Sequence, residues 1–265
     1  MYIRHGETEF NERALLHEYN TIKCNCAYLN CKLSPKGETQ SRELGELVKH
    51  MNIEKVFASP FKRALQTATA MLKEYCNSNN KEVIIYVHPL LGEVVDSVQS
   101  LCCNVQEMKD EYNMNSEVKV NWSEYFDKEF TTIKEQDLFC IGKYYIDALS
   151  AKQQTQLIAP IYTAYDKGQA NIKELFGNVV KYARDSGIKH LETVKHGYER
   201  AVKFKQFLRE SFHNNTNANI DNTVLIITHK SFIKLSTTSS VDISKNKYPN
   251  DCYICNNCEM VSVNI

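Results

Sequence analysis

VFASPFKRALQTATAMLKEYCNSNNKEVIIYVH, residues 56–88, decides how the chain is laid out. The short apolar run VFAS stops at a Ser-Pro pair. Ser59 is placed to cap a helix, and Pro60 suits its first position, where a missing N–H costs nothing. Leu65, Thr69 and Leu72 then fall on one side at helical spacing. The stretch closes on VIIYVH, residues 83–88, a continuous apolar run of strand length, as expected of a strand buried on both faces of a parallel sheet. Strand, helix and strand in succession predict a βαβ unit, with Arg63 in the first helical turn beside the end of the first strand.

Working outward, SPKGETQSRELGELVKHM, residues 34–51, repeats the device. Ser34 caps, Pro35 follows, and Leu44, Leu47, Val48 and Met51 share a face. Near the other end, LETVKHGYERAVKFKQFLRESF, residues 191–212, reads as a long helix with Val194, Ala201, Phe204, Phe207 and Leu208 as its core face. An Asn-rich loop, 214–222, is expected to be a flexible connector. VLIIT then forms a buried strand ending at His229. CEMVSVNI, from Cys258, supplies a final edge strand. Residues 94–190 differ: NWSEYF, FCIGKYYIDAL and LIAPIYTAYD mix polar and aromatic side chains without strand alternation. They are expected to form a mainly helical insertion or cap over the sheet. The expected fold is α/β, three layers α/β/α around a mostly parallel sheet, one domain over 1–265 with the 94–190 insertion inside it.

Composition narrows the partners. Of 265 residues 43% are hydrophobic, enough for one large core, and 32 Lys and Arg balance 32 Asp and Glu. Without a basic run, nucleic acid and anionic membranes are poor partners, and no apolar stretch is long enough to span a bilayer. The amino terminus lacks the zones of a signal peptide, so an intracellular, by default cytoplasmic, protein with reduced thiols is expected. Among the ten cysteines, Cys252, Cys255 and Cys258 have C-x-x-C-x-x-C spacing, but a closed zinc site needs a fourth ligand and none follows. No metal and no cofactor are expected.

The chemistry gathers where an open α/β sheet binds ligands, beyond the carboxyl ends of its strands. Arg4 and His5 follow the short strand MYI, Arg63 follows VFAS, Glu93 follows VIIYVH through the turn PLLG, and His229 follows VLIIT. Two arginines, two histidines and a carboxylate suit phosphoryl transfer. Guanidinium forks match phosphate oxygens, a neutral imidazole can carry the phosphoryl group, and a protonated carboxyl can supply the departing oxygen with a proton. Taken singly, Arg63 could instead be a solvated helix residue, Asn11 a turn cap, and Glu74, Glu82 or Asp96 could stand in for Glu93. His88, His196 and His213 have no motif around them.

RHGETEFN, LSPKGETQSRELG, FASPFKRALQTA, LLGE and LIITHKSF, in this order, resemble the histidine phosphatase superfamily, the phosphoglycerate mutase-like fold, over residues 1–93 and 191–265. The resemblance implies that His5 is the phosphorylated nucleophile, that Arg4, Arg63 and His229 complete the phosphate pocket, and that Glu93 is the proton donor. It also implies substrate contacts from Asn11 and Thr8. The superfamily's other branch takes its acid from the residue after the second histidine, here Lys230, which favours Glu93. Lys230 replaces a small residue and adds a cation that suits a more anionic substrate or crowds the pocket.

Only three residues precede Arg4, where members of the family enter along a longer strand. VVDSVQSLCCNVQEM after Glu93 does not resemble the segment that glycolytic mutases carry there. The leading reading is therefore a metal-independent phosphomonoester hydrolase, similar to the histidine acid phosphatases, acting on a phosphorylated small molecule or a phosphoprotein. Two others stay open: a mutase-type phosphotransferase, and a non-catalytic assembly subunit that docks a protein partner through 94–190. Exposed aromatic residues in that segment favour the last reading, and buried ones count against it.

Overall fold

A computed structural model describes residues 1–16, 19–102, 105–115, 117–140, 146–168, 172–213, 222–239, 241, 247–248 and 253–263. Its centre is a six-stranded sheet in the order β4-β3-β2-β5-β1-β6. The strands are β1 (Tyr2–Arg4), β2 (Asn52–Ala58), β3 (Ile85–Val87), β4 (Val120–Asn121), β5 (Asn222–Thr228) and β6 (Met260–Val261). All neighbours run parallel except β6, which lies antiparallel to β1.

Alternation along the strands creates the layers. Ile3, Val56, Ala58, Ile85, Val87, Leu225 and Ile227 face one core, filled from the helices Pro35–Val48 and Lys62–Asn79. Tyr2, Phe57 and Ile226 face the other, filled from Val194–His213 and Lys230–Thr237. The sheet is thus mixed but mostly parallel, with helices on both sides, as the βαβ pattern predicts. Among the described residues no helix is long and apolar enough to cross a membrane.

Several details depart from expectation for physical reasons. Ser34 accepts the Gly37 N–H at 3.2 Å and caps its helix. The second Ser-Pro pair does not: that helix starts at Lys62, Phe61 stands at the cap position, and no side chain caps it. Ser59 has a different partner, described below. Leu47 points into solvent, 64% exposed, so the apolar stripe of its helix is narrower than its spacing implies. Cys258 lies in a left-handed turn ahead of β6, whose strand begins two residues later.

Residues 94–190 are mainly helical, with Val105–Asn115, Ile133–Cys140, Ala159–Asp166 and Ile172–Asp185 as the longer helices. They also add what their sequence does not announce, the edge strand β4 beside β3. Five of their aromatic rings turn inward, while Tyr182 stays 39% exposed. Trp122, Phe126, Phe130, Phe139 and Phe176 are buried in the same core as the 35–48 and 62–79 helices, which counts against these rings as a docking surface. The Asn-rich loop over 214–221, Cys103, Cys252 and residues 141–145 lie outside the described residues, as does the His213 side chain.

Candidate functional site

β1, β2 and β5 end side by side, with Arg4 paired to Thr228 and Ala58 to Ile227. This register brings residues 4–5, 59–63 and 229 together. Both chain halves are needed, because β5 sits between β1 and β2.

His5 is buried, and both of its ring nitrogens are engaged. Nδ1 lies 2.7 Å from the Gly6 carbonyl oxygen, and Nε2 lies 3.2 Å from Nε of Arg63. A carbonyl can only accept and a guanidinium N–H can only donate. Both contacts therefore require the same tautomer, with the proton on Nδ1 and the lone pair on Nε2. Burial and the guanidinium groups of Arg63 and Arg4 push the imidazolium pKa well below the usual histidine value, so the ring is neutral.

Arg63, only 1% exposed, also donates through Nη1 to the Gln99 carbonyl at 2.8 Å and stacks on Phe61 at 4.8 Å. Arg4 donates to the Cys255 carbonyl at 3.1 Å, and its buried Nε has no partner among the described residues. The ring of His229 lies edge-on to His5, 5.2 Å between centroids, and its Nε2 is 2.8 Å from the Ser59 hydroxyl. Here is the role of the second Ser-Pro pair: Ser59 orients a histidine instead of capping a helix. Burial and Arg63 hold His229 neutral as well.

Glu93 follows a single turn, Pro89–Leu91, past the end of β3. Burial raises its carboxyl pKa and Asp96 adds to the rise, while Arg63 and Arg4 pull against it. Lys230 opens the helix after His229 and is half-buried. Its ammonium pKa is lowered, first by burial and then by Arg4.

Thr8 and Asn11 are brought together with each other. The Thr8 N–H donates to the Asn11 side chain at 3.2 Å and the Asn11 N–H donates to the Thr8 hydroxyl at 3.1 Å, a reciprocal cap on the helix Glu9–Leu16. The turn-capping reading of Asn11 is thus present in the geometry.

Close backbone approach holds the first loop in place. A Cβ on Gly37 would fall 1.9 Å from the Glu7 carbonyl oxygen, and one on Gly6 2.7 Å from the Gly37 carbonyl oxygen. Thr67, one turn after Arg63, accepts the Gly6 N–H at 3.0 Å and donates to the Arg63 carbonyl at 2.8 Å, joining the two catalytic candidates through backbone. Asn257 donates to the His5 carbonyl at 2.9 Å. Thr67 and Asn257 carry no sequence signal beyond their neighbours, since both act through contacts distant in sequence.

His88 is a core histidine, stacked on Tyr125 and packed against Phe204 and Phe207. Cys255 and Cys258 are free thiols.

The chain has recognisable relatives. Over 91 residues, 34% of this chain, it is 33% identical to fructose-2,6-bisphosphatase TIGAR B of Danio rerio, and the match spans about a third of that protein's length, 32%. Among solved structures, a phosphoglycerate mutase from Bacillus anthracis covers 94% of this chain and 81% of its own at 17% identity, TM-score 0.45. The ecdysone phosphate phosphatase of Bombix mori, in complex with tungstate, covers 97% and 85% at 14% identity, TM-score 0.43. A family profile matches residues 1–88. That profile describes the histidine phosphatase superfamily, branch 1, and the match covers about a third of this chain.

Proposed function

We propose that the protein is a phosphomonoester hydrolase that works without a metal, through a phosphohistidine on Nε2 of His5. One observation carries the reading: two independent contacts, to Gly6 and to Arg63, require the tautomer whose lone pair is on Nε2. Nε2 attacks phosphorus, an N–P bond forms, and the bond to the leaving oxygen breaks with its electron pair on that oxygen. Glu93, its carboxyl pKa raised, donates the proton that neutralises it. Water then attacks phosphorus and gives a proton to the Glu93 carboxylate. The N–P bond breaks, its pair returns to Nε2, and inorganic phosphate leaves.

Arg63 and Arg4 supply fixed positive charge for the phosphoryl oxygens, and His229, held by Ser59, completes the pocket. Lys230 extends the cationic rim and favours substrates with a further acidic group. Thr8 and Asn11 act by shaping the loop that carries His5. The burial of Trp122, Phe126 and Phe176 supports hydrolysis over a docking subunit. The similarity to a bisphosphatase, over a third of the chain, supports hydrolysis over phosphoryl transfer to a second hydroxyl.

The test is turnover of a chromogenic phosphomonoester with EDTA present, comparing wild type with His5→Ala. Turnover by wild type alone, together with an acid-labile phosphoenzyme after a brief pulse of labelled substrate, is the expected result. Equal turnover by folded His5→Ala would overturn the assignment.

A further inference from the structure

Glu93 stands on a connecting loop, and neither a strand nor a helix fixes its backbone. What does so is a buried ion pair from the far half of the chain. Glu192 and Arg200 are 0% and 2% exposed. Arg200 donates Nε to one Glu192 carboxylate oxygen at 2.7 Å and Nη2 to the other at 2.9 Å. Its remaining donors reach the loop: Nη1 to the carbonyls of Leu90 at 2.6 Å and Gly92 at 3.0 Å, Nη2 to that of Glu93 at 3.4 Å.

Glu192 grips the other side of Glu93. Its carboxylate accepts the Val95 N–H at 3.3 Å, and the Val95 carbonyl accepts the N–H groups of Leu191 at 2.7 Å and Glu192 at 3.1 Å. The backbone is therefore held immediately before, at and two residues after Glu93.

Such a pair is an expensive way to stabilise a fold. Removing two charges from water costs about as much as their attraction returns, and well-packed apolar residues often do as well. What an apolar pair cannot do is present five directed donors to three carbonyls and a carboxylate at once.

We propose that Arg200, oriented by Glu192, is a positioning residue that fixes the Glu93 carboxyl over the leaving oxygen. The proposal rests on the reading of Glu93 as proton donor, and its test separates the two. A nitrophenolate leaves without a proton, whereas an alkoxide needs one. Arg200→Lys keeps the charge and loses the fork. Compared by kcat/KM, which reports phosphorylation of His5 and not the later attack of water that Glu93 also assists, it should lower the value for an alkyl phosphomonoester by about 10- to 100-fold, part of what a general acid contributes, and leave that for nitrophenyl phosphate within about 3-fold. Glu93→Gln sets the reference, with a larger selective loss on the alkyl ester.

If Glu93→Gln is selective while folded Arg200→Lys slows both substrates equally or neither, the positioning role is overturned and the acid assignment stands. If Glu93→Gln is itself unselective, the acid assignment fails and the proposal with it. Should Arg200→Lys not fold, Glu192→Gln, which keeps an acceptor for Arg200, takes its place with the same expected selectivity and the same overturning result.

Discussion

Arg63 reaches His5 side chain to side chain, Nε to Nε2, across 58 residues of sequence and 3.2 Å of space. On the proposed mechanism, the arginine that would bind the phosphoryl group also occupies the Nε2 lone pair of His5 in the absence of substrate. Arg63→Lys removes the planar fork that serves both His5 and the Gln99 carbonyl. Steady-state kinetics on a phosphomonoester should show kcat/KM reduced by about 10²- to 10³-fold, the cost of losing one directed donor to developing charge. A loss below 10-fold would remove Arg63 from the phosphate pocket.

pH should separate the two ionisations. His5 must be neutral, and its depressed pKa keeps it so down to acidic pH. Glu93 must be protonated to donate, and its raised pKa extends that condition upward. With an alkyl substrate kcat should therefore fall as pH rises through the Glu93 pKa. Glu93→Gln should lose that alkaline limb relative to wild type and retain the acid limb. An unchanged limb in the variant would assign it to another group.

His88 makes a stability prediction independent of catalysis. Burial lowers its pKa from 6.5 to about 3. The unfolded chain therefore binds a proton that the folded chain refuses, and the sign follows: stability is full above pH 6.5 and lost as pH falls. At pH 5 this one group costs about 2 kcal/mol. His88→Asn retains an acceptor for the Leu90 N–H, which Nδ1 accepts at 3.3 Å. The drop in Tm between pH 7 and pH 5 should be smaller in the variant, and identical drops would contradict the assignment.

Gly37 should tolerate nothing larger. An alanine there must push the Glu7 carbonyl away from a contact of 1.9 Å, moving the loop that carries His5. Thermal denaturation should register about 1–3 kcal/mol of destabilisation, the usual penalty of overpacking, together with reduced turnover. Unchanged Tm and unchanged turnover would show that the loop and helix separate at little cost.

Much of the frame was legible because it is local. Alternation and helical spacing mark β2, the helix Lys62–Asn79 and β5, and the ends of those strands locate Arg63 and His229. What is not local was hidden. Ser34 and Ser59 stand in the same Ser-Pro context, yet only the first caps; the second helix starts three residues later, and the Ser59 hydroxyl meets the His229 ring and the Phe61 N–H instead. β4 is two residues long and is defined by its neighbour, not by its own pattern. Glu192 and Arg200 look like ordinary charged residues at the start of a helix. Their role lies in backbone atoms more than 90 residues away.

The placement of β5 between β1 and β2 also bears on how the chain is made. Tyr2 pairs with Ile226, so the strand that carries His5 meets its parallel partner only more than two hundred residues further along the chain. Residues 1–88, the segment that carries the family signature, cannot close a continuous sheet by themselves. Pairings so distant in sequence make for slow assembly, and the proposed nucleophile is held in its pocket only once such a pairing has formed.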